Sequence, residues 1–138
     1  MRIVLDSNVL FSALIRDSTT RRLILEYDDS FLFPSYIFEE MEEHKDELIV
    51  KSKMSDEEFN KLLNILLKKV LLVPVESLKA YKEKAVGIVK NIDKDDAIFI
   101  ACALAYPESI IWSDDKKLKK QNNVEVINTA EMMKLKLK

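Results

Sequence analysis

Aspartate residues follow two short apolar runs that are predicted to form buried strands. Residues 3–5 run directly into Asp6, and residues 110–112 run, after one serine, into Asp114 and Asp115. The carboxyl ends of neighbouring parallel strands meet at one edge of an open α/β sheet, where ligands bind. We therefore expect these carboxylates to lie together if both strands are central. Taken alone, an aspartate in the position of Asp6 is more often simply a helix cap.

Two further acidic groups mark the starts of predicted helices. They are Glu39, Glu40, Glu42 and Glu43 in one helix, and Asp93, Asp95 and Asp96 before another. Helix N-termini that follow strands lie at the same edge of the sheet, so four carboxylates can converge on one cleft. Carboxylates packed that closely repel one another, and some would take up protons unless a cation neutralised them.

An acid-only site indicates a particular class of chemistry. Oxygen ligands without histidine or cysteine favour Mg²⁺ or Mn²⁺. Such a site is typical of phosphodiester hydrolysis, because the metal activates water and stabilises the leaving oxygen. The single histidine, His44, has no histidine or cysteine near it in sequence and is interpreted as a surface residue. Cys102, inside an apolar helix, is interpreted as a core residue, so nothing supports acyl transfer.

The composition narrows the class of protein further. The 138 residues are 48% hydrophobic and 33% charged, which suits one domain over residues 1–138 with a single core. The net charge of −2 gives no general attraction to nucleic acid, so phosphate contacts must come from a local basic patch. The single Gly87 excludes a glycine-rich phosphate loop. With one cysteine, no signal-peptide pattern and no membrane-spanning run, we expect a cytoplasmic protein.

Strand-like and helix-like patterns alternate along the whole chain. The predicted strands are residues 3–5, 31–33, 71–75, 110–112 and 124–127. The helices are predicted to start at or just after Asn8, Ser18, Ser35, Ser55, Ser77, Asp96 and Asn128. The clearest is the amphipathic helix 55–70, which a Ser55–Glu58 capping box opens. The alternation predicts an α/β fold with a largely parallel sheet covered on both faces, and the strand order stays open.

Four segments together resemble the motif blocks of the PIN domain family, in the family's order. They are RIVLDSNVLFSAL, SYIFEEMEEH, DKDDAIFIACAL and IIWSDDKKL, and the likeness covers essentially the whole chain. It is strongest to the archaeal and bacterial VapC-like PIN proteins. The resemblance implies a three-layer α/β/α sandwich with a central parallel sheet. It also implies a Mg²⁺- or Mn²⁺-dependent ribonuclease or 5′-nuclease, which in a VapC-like protein is the toxin of a toxin–antitoxin pair.

The resemblance also assigns roles to individual residues. The acids that it places in catalysis and metal binding are Asp6, Glu40, Asp96 and Asp115. Glu40 either binds the metal or deprotonates the attacking water, since both roles need a carboxylate. Asp114 is close enough to be a metal ligand in place of Asp115, and the sequence does not separate the two. Asn8 and Ser113 are expected to support the site by positioning a ligand or water.

Two basic groups could flank the cleft and contact phosphates. They comprise Arg16, Arg21, Arg22, Lys116 and Lys117, which could equally be a solvated surface. The partners expected are an RNA substrate, an antitoxin protein, and further copies of the chain in a homodimer or higher homo-oligomer, with no membrane. The helix over residues 55–70, with the helix before it, could project as a hairpin for such contacts, although ordinary core packing is the simpler interpretation.

Two other functions stay open at the level of sequence. One is an RNA-processing or 5′-nuclease-type enzyme that acts on structured nucleic acid. The other is a non-catalytic PIN-like module that binds nucleic acid or a protein. Intact acids argue against the module, because a site without catalysis has no reason to hold repelling carboxylates together. A phosphotransfer receiver domain is a weaker rival, because it needs a lysine at a later strand end where this chain has aspartate.

Overall fold

The computed structural model describes residues 1–15, 19–28, 30–90 and 96–136. Its centre is a parallel sheet of five strands in the order β3-β2-β1-β4-β5. The strands are β1 (Arg2–Leu5), β2 (Ser30–Pro34), β3 (Val70–Val73), β4 (Ser109–Trp112) and β5 (Val126–Ile127). β1 is the middle strand and pairs with β2 on one side and β4 on the other. Both acid-ended strands, β1 and β4, are therefore adjacent in the interior of the sheet, which is the condition under which the sequence predicts that their acids lie at one edge.

The described residues form seven α-helices that cover both faces of the sheet, as a three-layer α/β/α sandwich. They are α1 (Ser7–Ile15), α2 (Thr19–Glu26), α3 (Ile37–Ser52), α4 (Asp56–Lys68), α5 (Lys82–Val89), α6 (Ala97–Ala105) and α7 (Thr129–Lys136). Short 3-10 helices occupy Val75–Tyr81 and Leu118–Lys120. None of the helices in the described ranges combines the length and apolar composition that a membrane span requires.

The core lies on both faces of the central strands. Ile3, Val4 and Leu5 of β1 are fully buried, as expected for a strand with helices on both sides. Trp112 at the end of β4 is the largest buried side chain, and its indole N–H donates to the Thr129 hydroxyl at 3.0 Å. The apolar helix α6 packs against β1, β2 and β4, and its Phe99 contacts Phe33 near the carboxyl end of β2.

The sequence patterns for helix caps predicted the caps correctly where no residue distant in sequence competed for the capping hydrogen bonds. The predicted capping box is present, with Glu58 N–H donating to Ser55 Oγ at 3.1 Å and Ser55 N–H donating to Glu58 Oε1 at 3.3 Å. Asn128 and Glu131 form the equivalent exchange at the start of α7. α4 packs against α1, α3 and β3, which is the core packing that its pattern favoured. The predicted Ser18 cap, together with Asp93 and Asp95 of the acidic group before α6, lies outside the described residues.

Two predicted helix starts were wrong because the serine hydroxyl bonds elsewhere. Ser35 does not cap α3, which begins after Tyr36; its hydroxyl instead accepts from the Val75 N–H at 3.3 Å. Ser77 does not cap a long helix either, because its hydroxyl donates back to the Pro74 carbonyl at 2.7 Å. The chain there forms the 3-10 helix before α5 begins.

Three further boundaries differ by a few residues. α1 begins at Ser7, so the first helix starts immediately after Asp6. Val70 is the first residue of β3, not the last residue of a helix, because it pairs with Phe31 of β2. Val124 is not in β5, because its backbone N–H and carbonyl are both taken by the side chain of Gln121, at 2.9 and 2.6 Å.

Candidate active site

Asp6 is held rigidly at the carboxyl end of the central strand. Its backbone N–H donates to the Trp112 carbonyl of β4 at 3.1 Å. Its own carbonyl accepts from the N–H groups of Val9 and Leu10 at 3.0 and 3.3 Å, which starts α1. The side chain is only 5% exposed. The residue is therefore fixed by the strand beside it and the helix after it, and its carboxylate is largely withdrawn from water.

Ser113 links Asp6 to the acid at the end of the neighbouring strand. The fully buried Ser113 hydroxyl donates to Asp6 Oδ2 at 2.7 Å. The oxygen of the Ser113 hydroxyl also accepts a hydrogen bond, from the Asp115 backbone N–H at 3.1 Å. One hydroxyl thus bonds both the Asp6 carboxylate and the Asp115 backbone, and Asp115 lies near enough to Asp6 for its charge to act on that carboxylate.

The electrostatics of Asp6 show that its negative charge is costly. Burial raises the pKa of Asp6, and the nearby charge of Asp115 raises it further. Hydrogen bonds from Ser113 and from the backbone N–H groups of Ser7 and Asn8 act in the opposite direction without cancelling the rise in pKa. A cation beside Asp6 would reverse this penalty, because it would favour the ionised carboxylate.

The two aspartates that the sequence could not separate point to different partners. Asp114 accepts from the Thr129 N–H and hydroxyl, each at 2.7 Å, so its carboxylate is engaged at the start of α7. Asp115 lies close enough to Asp6 to affect its pKa, and its Oδ1 accepts from the Lys117 N–H at 2.9 Å. The structure therefore orients Asp115, and not Asp114, toward Asp6.

Glu40 lies on the first turn of α3. Tyr36, just before that helix, connects this turn to the start of α1, next to Asp6. Its backbone N–H donates to the Tyr36 carbonyl at 3.1 Å, and the Tyr36 hydroxyl lies 2.8 Å from Ser7 Oγ at the start of α1. Burial raises the pKa of Tyr36, and the charges of Glu40 and Asp6 raise it further. The charges of both acids therefore act on the same hydroxyl, so Glu40 and Asp6 lie on the same side of the molecule.

The remaining predicted acid, Asp96, is positioned by α6. It is 8% exposed and immediately precedes the helix. One turn later, the Phe99 ring contacts Tyr36 with the ring centroids 6.2 Å apart. The start of α6 thus lies against the Tyr36 side of the site, beside the ends of β1 and β2.

The four predicted acids are the type of ligand that a hard divalent cation prefers, but they lie farther apart than the ligands of one bound ion. All four predicted acids are carboxylates, and two of them, Asp6 and Asp96, are buried. Among the described residues, no three acidic, histidine or cysteine side chains lie close enough to hold one ion as they stand. A metal ion bound by all four acids would therefore draw them closer together than they lie in this structure.

A groove of about 500 Å³ opens beside Glu40. Its lining includes Ser7, Asn8, Phe11, Glu40, His44 and Lys51. Asn8, predicted as a supporting residue, is exposed at this groove. His44, interpreted from sequence as a surface residue, is 38% exposed and has Nε2 at 3.5 Å from Glu40 Oε2. The groove gives access to Glu40 from solvent.

The predicted basic residues divide into two groups. Lys116 and Lys117 are exposed in the turn directly after Asp115, at the acidic edge. Arg21 donates to the Ala13 and Leu14 carbonyls at 2.7 and 3.4 Å, which places it at the far end of α1 from Asp6. Arg22 is exposed beside it on α2, and Arg16 lies outside the described residues. The structure therefore brings the two lysines, and neither of these two arginines, to the acids.

Sequence reasoning missed Ser7 and Tyr36 as members of this region. Tyr36 stands four residues before Glu40, the spacing at which side chains meet on one face of a helix, and that signal could have indicated it. The contact with Ser7 had no local signal, because 29 positions separate the two residues in sequence.

Comparisons with known proteins agree with this architecture. A family model described as the PIN domain matches residues 4–137. The fold is similar to the crystal structure of VapBC2 from Rickettsia felis bound to a DNA fragment from their promoter, with a TM-score of 0.68 and 18% sequence identity. That similarity covers 93% of this chain and 98% of the other, and at this identity it establishes a shared fold. A search of curated proteins finds no match.

Proposed function

Because this chain belongs to the PIN domain family, a family of nucleases, we propose that it is a Mg²⁺- or Mn²⁺-dependent ribonuclease. The observation that carries the proposal is the Ser113 hydroxyl, which orders Asp6 and Asp115 at the ends of two adjacent central strands. A buried Asp6 carboxylate with a raised pKa, beside the partly exposed Asp115, is unfavourable unless a cation compensates its charge. PIN nucleases generally use divalent ions, and such an ion supplies that compensation.

We assign the acids to separate tasks in this reaction. Asp6, Asp96 and Asp115 would hold the metal, which when bound activates water and stabilises the leaving oxygen. Ser113 keeps Asp6 oriented by donating to Oδ2. Glu40 lies beside the solvent-accessible groove, where a carboxylate can bind the metal or take a proton from the attacking water. Asp114 is left out because Thr129 occupies both of its oxygens.

The substrate that we propose is single-stranded RNA. An acidic cleft in a chain of net charge −2 repels a polyanion, so RNA binding should be weak without metal. Lys116 and Lys117 directly follow Asp115 and can contact the phosphates beside the scissile bond. Because these contacts are electrostatic, cleavage should fall steeply as salt is added.

The similar VapBC2 structure is a complex bound to a DNA fragment from the promoter. By analogy we propose that this chain is the toxin of a toxin–antitoxin pair and that it acts in the cytoplasm. We further propose that it binds an antitoxin protein and forms a homodimer or higher homo-oligomer.

The decisive experiment compares cleavage of single-stranded RNA, and of DNA in parallel, with Mn²⁺, with Mg²⁺ and with EDTA. The variants are Asp6→Asn and, as a matched control, Asp114→Asn, which makes the same chemical change one residue outside the proposed ligand set. We expect metal-dependent RNA cleavage that Asp6→Asn abolishes and Asp114→Asn retains. Equal cleavage by wild type and Asp6→Asn would refute the catalytic role of the acids. Cleavage of DNA or of structured substrates alone would favour the 5′-nuclease alternative.

A further inference from the structure

The hydroxyl of Tyr36 occupies a position between two elements of the candidate site. It lies 2.8 Å from Ser7 Oγ, one residue after Asp6, at the start of α1. The carboxylate of Glu40, which follows Tyr36 by one helical turn, lies close enough to this hydroxyl for its charge to raise the pKa of Tyr36. Tyr36 therefore connects the β1–α1 junction to α3 through a single oxygen atom.

The ring of Tyr36 is fixed by its neighbours. It stacks on Phe33 of β2 with the centroids 5.9 Å apart and the planes 11° from parallel. The edge of Phe99 from α6 meets it at 60°, and Phe99 in turn packs on Phe33 at 5.8 Å. Offset stacking and edge-to-face contacts are the preferred arrangements of aromatic side chains. The hydroxyl is therefore placed by three elements of the fold and not by rotation of an exposed side chain.

The direction of the hydrogen bonds follows from the chemistry of the groups. An ionised carboxylate can only accept, so a hydrogen bond between Tyr36 and Glu40 requires the phenol as donor, and the Ser7 hydroxyl can then donate to Tyr36. A phenol carries its proton at neutral pH and is therefore available as a donor. On its other side, Glu40 has His44 Nε2 at 3.5 Å from Oε2. Glu40 thus lies between a phenol and an imidazole.

We propose that Tyr36 is a positioning residue for the nuclease reaction, and that its hydroxyl fixes the orientation of the Glu40 carboxylate relative to Asp6. This inference rests on the proposed function, because it deepens the role of Glu40 in the same site. A carboxylate that must hold a metal ion or accept a proton works best when its rotation is restricted before substrate arrives. Tyr36 supplies that restriction without touching the substrate.

The test uses Tyr36→Phe, which removes the hydroxyl and keeps the ring against Phe33 and Phe99. Tyr106→Phe is the matched control: its ring lies under the Arg2 guanidinium at 5.6 Å, before β4 and so at the opposite edge of the sheet. We expect Tyr36→Phe to lower kcat about 10-fold with KM changed less than about twofold, the lower end of the effect of removing a residue that orients a metal ligand. Tyr106→Phe should leave kcat within about twofold of wild type, because its hydroxyl is remote from the acids.

A second measurement does not depend on activity. A double-mutant cycle on urea unfolding combines Tyr36→Phe with Glu40→Ala. We expect the two changes to be coupled by about fivefold in the unfolding equilibrium constant, the size typical of groups in direct contact. Equal kcat for the two tyrosine variants, or strict additivity in the cycle, would overturn the inference.

These readouts separate failure of the inference from failure of the proposed function. If wild type cleaves no RNA, the proposed ribonuclease activity fails and the unfolding cycle alone decides whether Tyr36 holds Glu40. If wild type cleaves RNA and Tyr36→Phe cleaves equally well, the ribonuclease stands and the positioning role of Tyr36 is refuted.

Discussion

Replacing Ser113 with alanine should destabilise the protein in a way that depends on pH. The substitution removes the donor to Asp6 Oδ2 and the acceptor of the Asp115 N–H, in a position with no access to water. A hydrogen bond to a charged group contributes about 1.5–3 kcal/mol, and a buried partner left without it keeps its desolvation penalty. For a chain of this length each kcal/mol corresponds to roughly 3 °C in Tm, so we expect a fall of roughly 5–9 °C at pH 7.

The pH dependence follows from the direction of the pKa shift at Asp6. Burial raises the pKa of Asp6 in the folded protein above its unfolded value, so the folded state binds more protons in the interval between the two values. Stability from this group is therefore fully present below the unfolded pKa, and it is lost as the pH rises through the folded pKa. Removing the Ser113 donor raises the folded pKa further, which widens that interval. The cost of Ser113→Ala should consequently be greatest at neutral pH and shrink toward pH 4.

The assay is thermal unfolding of wild type and Ser113→Ala between pH 4 and pH 8. Ser109→Ala is the matched control, because Ser109 lies on the same strand and donates to the uncharged Ala103 carbonyl at 3.1 Å. Its cost should be about 1 kcal/mol and nearly independent of pH. If Ser113→Ala loses the same amount of stability at pH 4 as at pH 7, or behaves like the control, the interpretation of Asp6 as a buried, ionised acid is refuted.

Three further predictions follow from the same structure. Mn²⁺ at about 100 times its dissociation constant should stabilise wild type by about 2.7 kcal/mol in thermal unfolding, and Asp6→Asn should lose most of that gain; equal stabilisation of both would contradict the ligand assignment. Ser55→Ala should cost about 1 kcal/mol in urea unfolding because it removes the α4 cap, with RNA cleavage unchanged; a loss of cleavage would indicate that α4 contributes to the site. Cys102 should resist alkylation by iodoacetamide at pH 8 until the protein unfolds, since burial raises the pKa of its thiol to about 12; rapid labelling of the native protein would show that α6 opens.

The fold was predictable because its strongest signals are local. Residues 3–5 and 110–112 are short apolar runs that end in acid, and they became the adjacent central strands β1 and β4. The Ser55–Glu58 exchange needs only one turn of chain, so its pattern was sufficient. The strand order, by contrast, depends on which apolar surfaces pack best in three dimensions, and no local pattern reports it.

The finer features of the site depend on contacts between residues distant in sequence. The difference between Asp114 and Asp115 is decided by Thr129, 15 positions after Asp114. Ser35 resembles a helix cap in sequence, but a backbone N–H 40 positions away takes its hydroxyl. Each of these groups can form hydrogen bonds of similar energy with several partners, and tertiary packing determines which bond forms. Local residue types alone could therefore indicate candidate acids without fixing their orientation.

The span of the Asp6–Ser113 hydrogen bond has a consequence for synthesis of the protein. The two residues are 107 positions apart, so a ribosome makes Asp6 long before the hydroxyl that orients it. β4, which flanks β1, is also translated late. At about 5–20 residues per second, the growing chain carries an unfinished acidic edge for roughly 5–20 s. During that interval the nascent polypeptide has no complete acidic edge, so the arrangement of Asp6 with Ser113 and Asp115 can form only when the chain is nearly finished.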